Sequence, residues 1–266
     1  MPIKDANAKA NTFSIAYDRI FDFGGQSGSV AIVVPYAVLS ASGDVVGTQR
    51  SVTRRGLADV LFRVSANLYG APALSFDEYR AYRQDAIVGA SLYVTAPTGQ
   101  YDGSKLVNIG THRWSFKSEL GVSKALGSWT FEAAAGATFF TTNDDFFGGH
   151  QRKQDPLYSV QAHAIYNFDP KLWIAVDATY YAGGSTTLDG VHDDDRQSNS
   201  RYGATLSYAF GPRDSIKAYV SSGATARIGS NFHRPASLGS IGGVQDCDHG
   251  RREAANKTKV VFPTSD

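Results

Sequence analysis

A chain of 266 residues can form one large domain or two small ones, and its formal net charge of +1 gives no electrostatic draw toward nucleic acid. Its single cysteine, Cys247, excludes an intramolecular disulfide framework and any multi-cysteine zinc site. The 12% aromatic content, 27 glycines and lone methionine favour strands and turns over helices, although 42% hydrophobic residues and a mean hydropathy of -0.25 would suit a soluble protein.

The N-terminus, MPIKDANAKANTFS, has a lysine but no apolar core and no small-residue cleavage motif behind it. Residues 1–12 are therefore expected to be a truncated segment without an export signal. No later run reaches the roughly 18 apolar residues of a membrane-spanning helix, so any membrane crossing would have to be made by strands. Ten segments of strand length follow: 13–21, 30–39, 57–69, 84–97, 114–125, 128–142, 157–168, 171–182, 200–210 and 214–224. Many match the roughly 9 to 11 residues with which a tilted strand crosses a bilayer.

Alternation assigns the faces, because neighbouring side chains of a strand point to opposite sides of a sheet. In 114–125, Trp114, Phe116, Leu120 and Val122 oppose Ser115, Lys117, Glu119 and Ser123. In 157–168, Tyr158, Val160, Ala162, Ala164, Tyr166 and Phe168 oppose Ser159, Gln161, His163 and Asn167. The same split recurs in 171–182 and 200–210, and is weaker in 30–39, which contains Pro35.

Connection lengths alternate too. Tight turns at 125–128, 169–170 and 211–213 alternate with longer loops at 98–113, 143–156 and 183–199, and a long polar loop is expected over 40–56. Short turns on one side and long loops on the other are the arrangement of an outer-membrane barrel. A short helix is expected within 75–84. Aromatics at strand ends suit the headgroup level: Trp129, Phe168, Trp173 and Phe210 at the short-turn rim, and Trp114, Phe139, Phe140, Tyr158, Tyr180, Tyr181 and Tyr202 at the other.

Asp59, Arg63, Asp85, Lys117, Glu119, Glu132, His163, Asp177, Arg201 and Lys217 fall on the polar phase and are the candidate lumen-lining residues. So many ions buried dry and unpaired would be very costly, which leaves a hydrated lumen or a ladder of paired charges. A hydrolase triad of Ser159, His163 and Glu119 would require these side chains within hydrogen-bond reach, which spacing alone does not provide. The acidic loops His192 to Asp195 and Asp144, Asp145 with His150 do not match a calcium-loop spacing, and no metal is assigned. The glycine pairs read as turns, no phosphate cradle is present, and no cofactor is expected. Arg50, Arg54 and Arg55 form a basic group suited to a solvated loop or to anionic headgroups.

The stretches APTGQYD at 96–102, NIGTHRWSFKSELGVSK at 108–124 and NDDFFGG at 143–149 carry a resemblance, over about residues 13–231, to the outer-membrane transporter family named for the meta-pathway of phenol degradation. The resemblance implies an all-β, antiparallel, transmembrane up-and-down barrel of about 12 strands. It also implies a channel for small organic, aromatic or hydrophobic compounds in the outer membrane of a Gram-negative bacterium. Its partners would be outer-membrane lipid and lipopolysaccharide, an organic solute and the barrel-assembly machinery, with no nucleic acid.

Against that pattern, the chain is expected to lack a normal first strand and a normal closing strand. The barrel is placed at 13–231, and 232–266 is expected to be an anomalous, disordered tail, because alternation is lost after Phe232. The rival readings are a structural outer-membrane barrel without transport and, behind it, a barrel lipid hydrolase.

Overall fold

The computed structural model describes residues 3–75, 78, 81–211, 214–225 and 233–242. Its strands in chain order are β1 (Ile3–Phe23), β2 (Gln26–Val45), β3 (Thr48–Leu57), β4 (Val60–Tyr69), β5 (Ala86–Ala96), β6 (Ser115–Leu126), β7 (Trp129–Phe140) and β8 (Asn143–Phe146). They continue with β9 (His150–Gln154), β10 (Leu157–Asn167), β11 (Leu172–Gly183), β12 (Thr186–Leu188), β13 (Val191–His192), β14 (Gln197–Ala209), β15 (Asp214–Thr225) and β16 (His233–Gly242).

One antiparallel sheet carries the order β1-β2-β4-β5-β6-β7-β10-β11-β14-β15-β16, with β3 paired to β2. All ten strands expected from alternation are in it. Three expectations are corrected. β1 starts at Ile3 rather than residue 13, and half of the expected 40–56 loop is instead β3, in register with β2 from Tyr36↔Leu57 to Val45↔Thr48. Residues 233–242 form β16 on the edge of β15, where a tail without structure was expected. Cys247 and residues 243–266 lie outside the described residues.

Pro35 sits where β2 changes partner, after Val33↔Leu61 with β4 and before Tyr36↔Leu57 with β3. Its carbonyl accepts Ala58 N at 2.8 Å, so the N–H that proline lacks would have pointed into the same gap. Of the helix expected within 75–84, Glu78 and Ala81 are helical, and residues 76, 77, 79 and 80 lie outside the described residues. Its start is a reciprocal cap: Ser75 N donates to Glu78 Oε2 at 2.8 Å and Glu78 N donates back to Ser75 Oγ at 3.5 Å.

The burial pattern is inverted relative to a soluble protein. Along β6, Glu119 and Ser123 are buried whereas Leu120 is 62% exposed, and along β10 Ser159, Gln161 and His163 are buried between exposed Tyr158, Val160 and Ala162. A soluble sheet hides its aliphatic phase and wets its polar one. This sheet does the reverse, so its outer phase is built to meet hydrocarbon and its inner phase to meet its own polar groups.

The sheet curls toward the polar phase, because side chains from strands two apart meet across small residues. Arg63 of β4 reaches over Ala31 of β2 to Asp18 of β1, with Nη2 to Oδ2 at 2.9 Å. Gln161 of β10 reaches over β7 to Glu119 of β6, with Nε2 to Oε2 at 2.7 Å. Gly136 of β7 makes the second crossing possible: a Cβ there would stand 3.2 Å from Lys117 Cε and 2.9 Å from Ser118 O.

The long loops are folded as well. β8, β9, β12 and β13 form a second sheet in the order β13-β12-β9-β8, made from the 141–156 and 184–196 connections.

Candidate functional site: the inner face and its long-loop mouth

The inner face carries two tiers of hydrogen-bonded charge. In the tier nearer the long loops, Glu119 is the hub. Its carboxylate takes Lys117 Nζ at 2.7 Å, Gln161 Nε2 at 2.7 Å and Tyr93 OH at 3.3 Å, and Lys117 Nζ also lies 5.2 Å from the Tyr93 ring centroid. The Asp18 and Arg63 pair continues this tier on the β1 side.

The second tier follows the register Ser123↔Glu132↔His163↔Asp177↔Gly203 across β6, β7, β10, β11 and β14. Gln84 Nε2 donates to Ser123 Oγ at 2.8 Å, Ser123 Oγ to Glu132 Oε1 at 3.2 Å, and His163 Nδ1 meets Asp177 Oδ1 at 2.5 Å. Gly203 leaves room for Asp177, whose Oδ2 would be 3.2 Å from a Cβ at that position.

Of the residues expected on the inner face, Arg63, Lys117, Glu119, Glu132, His163 and Asp177 enter these tiers. Arg201 is half-buried in β14 opposite Thr179, and Lys217 reaches across Ser207 so that Nζ lies 5.1 Å from the Trp173 ring. Asp85 does not join them. Its side chain is exposed at the short-turn rim and is bound to Lys124 on the outer phase. Asp59 is buried at the opposite end and serves the loops, as described below.

Sequence reasoning missed Asp18, Tyr93 and Gln84. Parity places Gln161 on the polar phase, but only the curvature says that it meets Glu119.

Trp114, Trp129, Phe168, Tyr180, Tyr202 and Phe210 stand exposed on the outer surface, as membrane-interface aromatics would. Trp129 packs 4.9 Å from Tyr166, which sits 4.9 Å from Phe168 in an edge-on pair. Trp173 is a correction: it shares the phase of buried Ala175 and of Asp177, faces inward and receives Lys217. Phe140, also expected at the lipid interface, shares the inner phase of Glu132 and Ala134 and lies under the Arg113 guanidinium at 4.4 Å.

The mouth is held by loop hydrogen bonds. Asp59 accepts Gly99 N at 2.8 Å on one oxygen, and Thr111 N at 2.8 Å with Thr111 Oγ1 at 2.7 Å on the other, which pins the 97–113 loop at both ends. That loop is tied to the second sheet through Tyr101 OH to Asp145 O at 2.8 Å and Asn143 Nδ2 to Tyr101 OH at 3.0 Å. Arg113 Nη2 donates to Gln154 Oε1 at 2.5 Å, and Arg152, two residues from Gln154 on β9, lies 5.1 Å from the Phe146 ring. Burial first, and the charge of Arg152 second, push the Arg113 guanidinium down to about 10, while Asp59 pulls it up. It stays cationic at neutral pH.

The acidic loop residues act as staples. Asp195 accepts Thr186 N and Oγ1, both at 2.7 Å, and Asp189 accepts Gln151 N at 2.8 Å while meeting His150 Nδ1 at 2.5 Å. Among the described residues no three metal-ligating side chains converge.

The Gln151 N–H, then His150, hold the Asp189 carboxyl below the usual carboxylate range. Its bonding is therefore complete above the unfolded value of about 3.9 and is lost as pH falls through the lower folded value. A spin label at Val191→Cys, in a Cys247→Ser background, is expected to gain mobility only on acidification past that point. Asp189→Asn should abolish the transition, and a pH-independent label in the parent would refute the role given to Asp189.

Residues 3–231 match the family model described as "Putative MetA-pathway of phenol degradation". Among solved structures, the chain superimposes on the crystal structure of an outer membrane channel from Pseudomonas putida F1 with a TM-score of 0.60 and 20% identity, covering 90% of this chain and 94% of that one. OmpT, an outer membrane protein of Vibrio cholerae folded in vitro, matches at a TM-score of 0.38 and 9% identity over 87% of this chain and 92% of that one, too low to carry weight. No curated protein matches the chain. The chain belongs to the family of that phenol-degradation model, and its fold is that of an outer-membrane β-barrel.

Proposed function

We propose that this protein is a channel of the bacterial outer membrane for small organic solutes, aromatic compounds among them. One observation carries the reading: the sheet buries its charged phase and exposes its aliphatic phase, so the polar side faces a lumen and the apolar side faces lipid. The Pseudomonas structure it resembles is described as an outer membrane channel, and the family description refers to phenol degradation. The partners this reading requires are outer-membrane lipid, lipopolysaccharide on the long-loop side, and the barrel-assembly machinery. Arg63, Lys117, Glu119, Glu132, His163, Asp177, Arg201 and Lys217 are its proposed lumen-lining residues.

The Glu119 side chain is only 1% exposed, which favours as second reading a structural barrel whose charge tiers fill the lumen. The two separate in one experiment. The full chain refolded into liposomes is expected to admit arabinose, seen as swelling, and to give discrete conductance steps in planar bilayers. Stable insertion with neither signal would leave the structural barrel. A lipid hydrolase built on Ser159, His163 and Glu119 is disfavoured, because Glu119 is held by Lys117, Tyr93 and Gln161 while His163 is held by Asp177.

A further inference from the structure

Arg113, half-buried at the mouth, is bound in an unusual way for a cation. Among the described residues its only hydrogen-bond acceptor is the neutral amide of Gln154, and Nη1 is buried with no hydrogen-bond partner. Buried guanidinium groups are normally matched by an anion, because leaving N–H donors unmet in a dry site costs free energy. The carboxylate that offsets its charge is Asp59, whose oxygens are already taken by Gly99 and Thr111. Arg152 adds a like charge rather than a counter-charge.

The aromatic context repeats. Arg113 lies 4.4 Å from the Phe140 ring at the mouth, Arg152 lies 5.1 Å from Phe146 on the second sheet, Lys117 lies 5.2 Å from Tyr93 deeper inside, and Lys217 lies 5.1 Å from Trp173 near the short-turn rim. All are within cation–π range. They place a positive charge beside a ring at successive depths from the long-loop end to the short-turn end. Two of the acids between them, Asp18 and Glu119, are each paired with a cation, Arg63 and Lys117, and so would repel an incoming anion little.

We infer that Arg113, held over Phe140, is an anion-recognition residue for aryl carboxylates, and that the Lys217/Trp173 pair continues that recognition toward the short-turn end of the inner face. The inference rests on the channel reading above. A carboxylate would take the Arg113 donors in place of the Gln154 amide, since a charge-assisted, two-pronged contact is stronger than a neutral one. It would also supply the counter-charge that Arg113 and Arg152 lack among the described residues, while the ligand ring packs against Phe140.

The test is a titration of the full chain in detergent micelles, followed by ligand-observed NMR and corrected for micelles alone. The probes are benzoate, benzamide as neutral isostere, cyclohexanecarboxylate as non-aromatic anion, and acetate. Benzoate is expected to bind about tenfold more tightly than each of the others, the scale of one hydrogen bond to a charged group. Arg113→Gln should erase the preference over benzamide, Arg113→Lys should retain part of it, and Phe140→Leu should erase the preference over cyclohexanecarboxylate.

Equal binding of benzoate and benzamide by the parent overturns the inference, as does an undiminished preference in a folded Arg113→Gln variant. Equal binding of acetate and benzoate overturns its aromatic part. Liposome swelling separates the two levels. Arabinose entry without benzoate preference sinks this inference and leaves the channel, whereas no entry of any solute sinks the channel and the inner-face path with it.

Discussion

Glu119→Ala is expected to be among the most damaging single substitutions in this protein, costing about 3–5 kcal/mol of barrel stability, the range for breaking a buried ion pair by removing one partner. The carboxylate is shielded from water and serves three donors on three strands: Lys117 on β6, Tyr93 on β5 and Gln161 on β10. Its loss strands the Lys117 ammonium over the Tyr93 ring with no counter-charge and leaves the Gln161 amide without its acceptor. The double variant Glu119→Gln with Lys117→Met removes both charges together and keeps an acceptor for Gln161, so it should recover most of the loss. Urea titration of the liposome-inserted chain, read by the mobility difference between folded and unfolded forms on gels, measures both. A double variant no more stable than Glu119→Ala would mean that the hub acts through packing rather than through charge. A rise in single-channel conductance in Glu119→Ala, expected from the volume vacated, would tie the same side chain to the width of the lumen.

That network also marks the boundary of what could be read from the chain alone. The phase of Lys117, Glu119, His163 and Asp177 follows from strict alternation, because the membrane makes the two faces chemically opposite and each strand records it. Trp173 was legible by the same parity and was misassigned because its position at a strand end suggested an interface aromatic. The pairing of Asp18 with Arg63, and of Gln161 with Glu119, was not legible. Those partners sit two strands apart and meet only because the sheet curls over Ala31 and Gly136. The extensions of β1 and β2, and all of β3, were missed for a related reason. On the outer phase Lys9, Ser40 and Arg55 are polar and exposed, so the apolar signal that marks a lipid-facing strand is missing there. The second sheet was hidden likewise, in strands of two to five residues too short to show a period. Asp59 reads as one more charge on a polar phase, and only the loop it faces makes it an anchor.

Asp59→Ala should release that loop. The substitution removes the acceptor of two backbone N–H groups and one hydroxyl at a buried position, and such donors left unmet cost about 1–3 kcal/mol each before water enters to relieve them. A net local loss on the order of 3 kcal/mol raises the open population of the 97–113 loop roughly a hundredfold. Exposed Lys105 lies in the middle of it, so trypsin cleavage there should accelerate by about that factor, while the folded barrel persists because the β4 to β7 ladders are untouched. Asp59→Asn should fall between, since its amide oxygen can still accept from Thr111 but its NH2 group turns a donor toward Gly99 N. The effect should also travel. Tyr101 ties the loop to Asp145 and Asn143, and Arg113 follows Thr111 by two residues, so a loosened loop frees the guanidinium from its seat on Phe140. Asp59→Ala should therefore weaken benzoate binding without touching any residue that contacts it. Unchanged cleavage at Lys105 would show that the loop is held by its own turns and not by this carboxylate.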